Sequence, residues 1–207
     1  MFGGSFNPIH LGHLLVADEV RERLALDRVL FVPAAVPPHK PAGELVPAPH
    51  RFEMTCLAVA THPQFAVSDV ELSRPGPSYT VDTLRALGGR DELHLLLGSE
   101  TFLDLLGWKA PREVASLARL VVVPRTGEGF DPEAPAAQKV LRELGLPAFT
   151  GTASRESRAP ILVGAASLPI SGSDLRRRAR EGRSLAYRMP EAVIAYIRHH
   201  GLYRAEE

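Results

Sequence analysis

Three short runs constrain this chain more than anything else in it: Val29-Leu-Phe-Val-Pro33, Leu93-His-Leu-Leu-Leu97 and Arg119-Leu-Val-Val-Val-Pro124. A strand with one solvated face alternates apolar and polar residues, whereas a strand covered on both faces reads as an almost unbroken apolar run. Such runs belong in the interior of a parallel sheet. Between them the spacing changes to that of helices. Leu11, Leu14, Leu15, Val20 and Leu24 predict an amphipathic helix over about residues 11 to 26. A second helix is expected over about 49 to 61, and Phe65 to Leu72 reads as a strand. Ser78 and Thr80 can cap a helix that ends near Gly88-Gly89, a short helix leads to Trp108, and Pro111 suits the first turn of the next. Ala136 to Leu144 is helical in pattern, and Ile161 to Val163 suits a last strand. Two polar, Arg-rich helices follow, Ser171 to Arg183 and Pro190 to His200.

Strands alternating with helices form right-handed crossovers, so the fold class is α/β with a doubly wound, Rossmann-like parallel sheet. The 207 residues are expected to form one domain with a small helical part over about 165 to 207. The proline-rich stretch from 34 to 49 should be an irregular loop. Only Met1 and Phe2 precede the glycine turn at Gly3, so the first strand is a stub unless the chain begins upstream.

Charge excludes several functions. Lys+Arg and Asp+Glu both number 24, which gives no net pull toward a nucleic acid or an acidic membrane. An anion site must therefore be local. Cys56 is the only cysteine, so neither a disulfide framework nor a cysteine-rich zinc site is available. No apolar run approaches the roughly 18 residues of a membrane span, and the expected setting is cytoplasmic.

The stretch Gly3-Gly4-Ser5-Phe6-Asn7-Pro8-Ile9-His10-Leu11-Gly12-His13 carries the chemistry. Paired glycines let the backbone turn tightly and approach a ligand. The loop feeds a helix whose unpaired N–H groups and positive dipole end favour phosphate. His10 and His13 are three apart at that helix start, so both imidazoles can face one anion. Gly12 leaves room for a base or a phosphate against the backbone.

This segment resembles the signature of the nucleotidyltransferase superfamily with the T/H-x-G-H motif. The rest of the chain resembles its nicotinate-nucleotide adenylyltransferase branch, through an ordered set of matches: Pro37-Pro-His-Lys40, His50-Arg51 with Met54, Gly76-Pro-Ser-Tyr-Thr80 with Asp82-Thr83, Gly98-Ser-Glu100 followed by Trp108, Ile170-Ser-Gly-Ser173 with Leu175-Arg176, and Tyr187, Pro190, Tyr196-Ile197 and Gly201-Leu-Tyr203. The resemblance implies adenylyl transfer from ATP to nicotinate mononucleotide, giving deamido-NAD and pyrophosphate. It assigns catalysis to His10, His13 and Arg176, and ATP binding to Gly3, Gly4, Ser5, Phe6, Gly12, Gly98, Glu100, Ile170, Ser171 and Ser173. Glu100 stands where Asp is usual, which lengthens the reach to a ribose by a methylene. The mononucleotide is assigned to Asn7, Lys40, Thr80 and Trp108, with Asn7 replacing the commoner Asp. Magnesium is expected with ATP, held mostly by phosphates and water, with no metal ligand from the protein. Oligomerisation is open, and no nucleic-acid or membrane partner is expected.

Plainer roles compete at several positions. Trp108 can stack on a pyridine ring or simply anchor the core, and Glu100 can serve as a first-turn helix acid. Ser171 to Arg178 can be an N-cap followed by a solvated basic face, and Lys40 can lie in an ordinary surface loop. Competing functions are the same chemistry on nicotinamide mononucleotide, phosphopantetheine or a sugar phosphate, and a non-catalytic nucleotide sensor. An RNA-acylating synthetase lacks the necessary tRNA-binding extension or basic surface here.

Overall fold

The computed structural model describes residues 1–40, 45–89, 91–124, 129–152, 157–166 and 168–204. Six strands alternate with helices in the expected sense. They are β1 (Phe2–Gly4), β2 (Val29–Pro33), β3 (Phe65–Val67), β4 (His94–Gly98), β5 (Arg119–Val123) and β6 (Ile161–Leu162). The helices are α1 (Leu11–Arg23), α2 (Ala48–Val59), α3 (Thr80–Leu87), α4 (Ser99–Leu103), α5 (Pro111–Leu117), α6 (Pro135–Leu144), α7 (Gly172–Arg180) and α8 (Glu191–His199).

All named strand pairings are parallel, in two three-stranded sheets ordered β1-β2-β3 and β4-β5-β6. The sheets abut where the Leu96 N–H donates to the Met1 carbonyl at 3.0 Å. The combined order, 3-2-1-4-5-6, is that of a doubly wound fold, whose ligand crevice opens where the order reverses, at the carboxyl ends of the strands on either side. Here those ends are Gly4 of β1 and Gly98 of β4. The apolar runs are buried as expected: every residue of β5 is buried, and Phe31, Val121 and Val122 have no exposed surface.

Some elements depart from expectation. β3 ends at Val67, short of the expected Leu72, and the Ser73 N–H turns back to Asp69 as the chain leaves the sheet. β1 is a three-residue stub. α1 buries chiefly Ala17 and Val20, while Leu11, Leu14 and Leu15 are half-buried. At the far end, Leu175 of α7 and Val193, Ile194 and Ile197 of α8 pack into one apolar cluster with Phe31 of β2 and Met54 of α2. No helix among the described residues is long and apolar enough to cross a membrane.

Candidate active site

The loop after β1 is held from inside the protein. Phe6 is 2% exposed and has φ of 43°, a left-handed conformation that L residues adopt only where surroundings enforce it. His10 then caps α1 with extended backbone, and its N–H donates to Nδ1 of His13 at 3.3 Å. The two imidazoles stack with centroids 3.7 Å apart, and the His13 ring meets the edge of Phe6 at 5.2 Å. The sequence expectation that both rings gather at one helix start therefore holds. Gly12 has a more specific reason than open space for a ligand: a Cβ there would stand 3.1 Å from Nδ1 of His10. The glycine makes room for the imidazole.

The second helix start lies against the same loop. Ser171 caps α7, its Oγ accepting from the Asp174 N–H at 3.2 Å, with the Ser173 hydroxyl 3.3 Å away. Arg176, one turn further on, donates through Nη1 to the Asn7 carbonyl at 2.8 Å. Gly172 packs so closely that a Cβ would lie 3.1 Å from that carbonyl oxygen. The start of α7 thus packs on Asn7, and the segment leading into it passes the start of α1, where the Leu168 carbonyl oxygen stands 3.8 Å from the Cβ position of Gly12. The N–H groups of two helix starts, the Ser171 and Ser173 hydroxyls and the Arg176 guanidinium flank this loop, which is chemistry suited to a polyphosphate. Ile170, half-buried, leads into α7 and packs on the apolar cluster beneath it.

Beside the loop opens a cavity of about 420 Å³ at the carboxyl ends of β1 and β4. Gly3, Gly4, Ser5, Lys40, Thr80, Gly98 and Trp108 all line it. Its volume lies within the range of small-molecule sites. Trp108 also packs on the core cluster of β4 and β5, so it is both anchor and wall. Lys109 lines the cavity too, its ammonium 4.5 Å from the centre of the Tyr79 ring and 2.9 Å from Asp82. The Lys109 hydrogen bond holds the Asp82 carboxyl below its usual range. His10, His13, Ser171, Ser173 and Arg176 are not among the cavity's lining residues; they belong to the helix-start half. Glu100 is exposed in the first turn of α4 and lies outside the cavity wall. Asn7, expected at the mononucleotide, is instead 5% exposed, with both of its oxygens engaged within the protein.

Three residues that carry the site were given no role by sequence reasoning. Arg51 is 1% exposed and donates to the carbonyls of Ser5, Ala35 and Val46. Burial depresses its pKa. Glu71, also buried, lines the cavity and accepts the Thr83 hydroxyl at 2.6 Å. Tyr203 donates to Oδ1 of Asn7 at 2.8 Å. Arg51 was findable: it falls on the buried face of α2 with Met54, Thr55 and Ala58.

Fold and site together define an α/β nucleotide-binding protein with its crevice at the reversal of strand order. The Cytidylyltransferase-like family matches residues 1–178. Among curated relatives, the probable nicotinate-nucleotide adenylyltransferase of Thermus thermophilus is 48% identical over 99% of this chain and 98% of its own length. That of Roseiflexus sp. is 43% identical over 99% and 96%. The Plasmodium falciparum nicotinic acid mononucleotide adenylyltransferase complexed with NaAD superposes with a TM-score of 0.72 over 98% of this chain and 95% of that one, at 19% identity, a likeness of fold. The chain belongs to the nicotinate-nucleotide adenylyltransferase family.

Proposed function

We propose that the protein transfers the adenylyl group of ATP to nicotinate mononucleotide, in the cytoplasm, and releases pyrophosphate. The observation that carries this reading is the packing of the α7 start on the Asn7 loop that feeds α1, beside a cavity walled by Thr80 and Trp108. One half suits a triphosphate and the other a flat ring with a short anionic arm.

In the reaction, an oxygen of the acceptor phosphate attacks the α-phosphorus of ATP. A new P–O bond forms, the bond from the α-phosphorus to the bridging oxygen breaks, and pyrophosphate leaves with that electron pair. The attacking phosphate is already ionised, so no general base is required. The protein's part is alignment and stabilisation of charge on the departing phosphates. We assign that to His10, His13 and Arg176, with Ser171, Ser173 and the glycine loop holding the donor. Gly98 and Glu100 are assigned to the adenosine, and Lys40, Thr80 and Trp108 to the acceptor. The donors around the helix starts are imidazole, hydroxyl and guanidinium, which suit phosphate oxygens better than a bare divalent cation. Magnesium brought in with ATP would be held by phosphates and water and would supply charge neutralisation on the triphosphate.

The test is an acceptor panel. Protein, ATP and magnesium are mixed with nicotinate mononucleotide, nicotinamide mononucleotide or phosphopantetheine while pyrophosphate is followed. Preference for nicotinate mononucleotide is expected. Preference for another acceptor overturns the substrate, and tight ATP binding without any turnover overturns the enzyme.

A further inference from the structure

We infer that Tyr203 is a positioning residue for the donor half of the site: its hydroxyl fixes Asn7, and through Asn7 the guanidinium of Arg176. The inference rests on the reading that Arg176 faces the triphosphate.

Tyr203 lies in the turn after α8, where both Gly201, at φ of 61°, and Tyr203 itself, at φ of 63°, are left-handed. Glycine takes that conformation freely, but a tyrosine does so only where something holds it. What holds Tyr203 is the glycine loop, 196 residues earlier in the chain: its hydroxyl donates to Oδ1 of Asn7 at 2.8 Å. The same oxygen receives the Val46 N–H at 3.4 Å. The main-chain carbonyl of Asn7 meanwhile receives Nη1 of Arg176 at 2.8 Å, pressed against Gly172. Asn7 is thus gripped by its side chain from the α8 turn and by its backbone from α7.

Burial makes the grip matter. At 5% exposure, Asn7 has little water to replace a lost partner, so losing the hydroxyl leaves a buried acceptor short of a donor. The side chain would turn to find another, and its peptide would move with it. Burial also pushes the Tyr203 phenol upward, against the nearby charges of Arg176 and Arg51, which keeps it a protonated donor at ordinary pH. A residue serving only to fill apolar space has no need of the hydroxyl.

The test is a kinetic double-mutant cycle of Tyr203→Phe and Arg176→Ala, run on the full chain below the melting temperature of each variant, with pyrophosphate release as readout. Tyr203→Phe should lower kcat roughly 10-fold, while the KM of the acceptor moves by less than about 2-fold. In the Arg176→Ala background the same substitution should cost less than about 2-fold, because the group it positions is gone. Equal costs in the two backgrounds overturn the proposal. If Tyr203→Phe does not fold, Asn7→Ala removes the other partner and goes through the same cycle; loss of fold in both assigns the hydroxyl to stability and overturns it. A wild-type chain that turns over no acceptor, or Arg176→Ala with wild-type rate, is a separate failure: it sinks the functional reading and this inference with it.

Discussion

The guanidinium of Arg51 donates to the carbonyl oxygen of Ser5 at 2.8 Å, inside the protein and out of reach of water. The same side chain donates to Ala35 and Val46, so one residue of α2 ties the glycine loop to both ends of the segment that carries Lys40. A lysine offers a single ammonium in place of a planar fork and cannot meet three carbonyls so placed. Arg51→Lys should therefore cost about 2 kcal/mol or more of stability, since each buried carbonyl left unpaired costs ~1–3 kcal/mol. Urea unfolding measures it; a midpoint equal to wild type would remove Arg51 from this role.

Gly12→Ala separates stability from activity. Alanine is favoured over glycine by up to about 1 kcal/mol inside a helix, and Gly12 lies in the first turn of α1. Its Cβ would nevertheless crowd the His10 ring at 3.1 to 3.2 Å and push the imidazole aside. We expect thermal stability close to wild type with turnover reduced roughly 10-fold, the scale of a misplaced reacting group. Full activity in the variant would show that His10 has room to spare.

Thr83→Val keeps shape and removes the hydroxyl that satisfies Oε1 of Glu71. Oε2 of Glu71 has no hydrogen-bond partner among the described residues, so the variant would bury a carboxyl group with no side-chain donor among them. The expected loss is about 1–3 kcal/mol. A chemical-denaturation curve that overlays wild type would refute it.

His94 should make stability pH-dependent. Burial, with the nearby Arg119, lowers its pKa from 6.5, while Glu92 acts the other way. Below pH 6.5 the unfolded chain therefore binds a proton that the folded chain resists, so stability rises with pH through that window and is lost as pH falls. Urea midpoints at about pH 5.5 and 7.5 should differ more in wild type than in His94→Gln. An identical pH dependence in the two proteins would acquit His94.

Trp108→Ala opens the cavity wall assigned to the acceptor. KM for the mononucleotide should rise about 10-fold or more, on the scale of losing an aromatic stack together with its buried area, while ATP affinity holds. If ATP affinity alone falls, the two substrates have been placed in the wrong halves.

What the sequence discloses follows its physics. β2 and β5 are legible because a strand covered on both faces must be apolar throughout, and a local pattern suffices to reveal that. Val70-Glu71-Leu72 misleads for the same reason: its composition suits a strand, yet Glu71 is drawn into the cavity wall by Thr83, a partner its own neighbours do not announce. The loop from Gly3 to His13 stands out because the close approach of the Phe6 and His10 rings to the Cβ positions of Gly4 and Gly12 demands glycine at fixed spacing. The pairing of Tyr203 with Asn7 stays hidden, since a bond across 196 residues leaves no periodic trace.

The hydrogen bond from the His10 backbone to His13 has one more consequence. Nδ1 can accept it only without a proton of its own, so the neutral ring must carry its hydrogen on Nε2. The start of α1 thereby selects the tautomer. In that tautomer the far side of the ring presents an N–H donor.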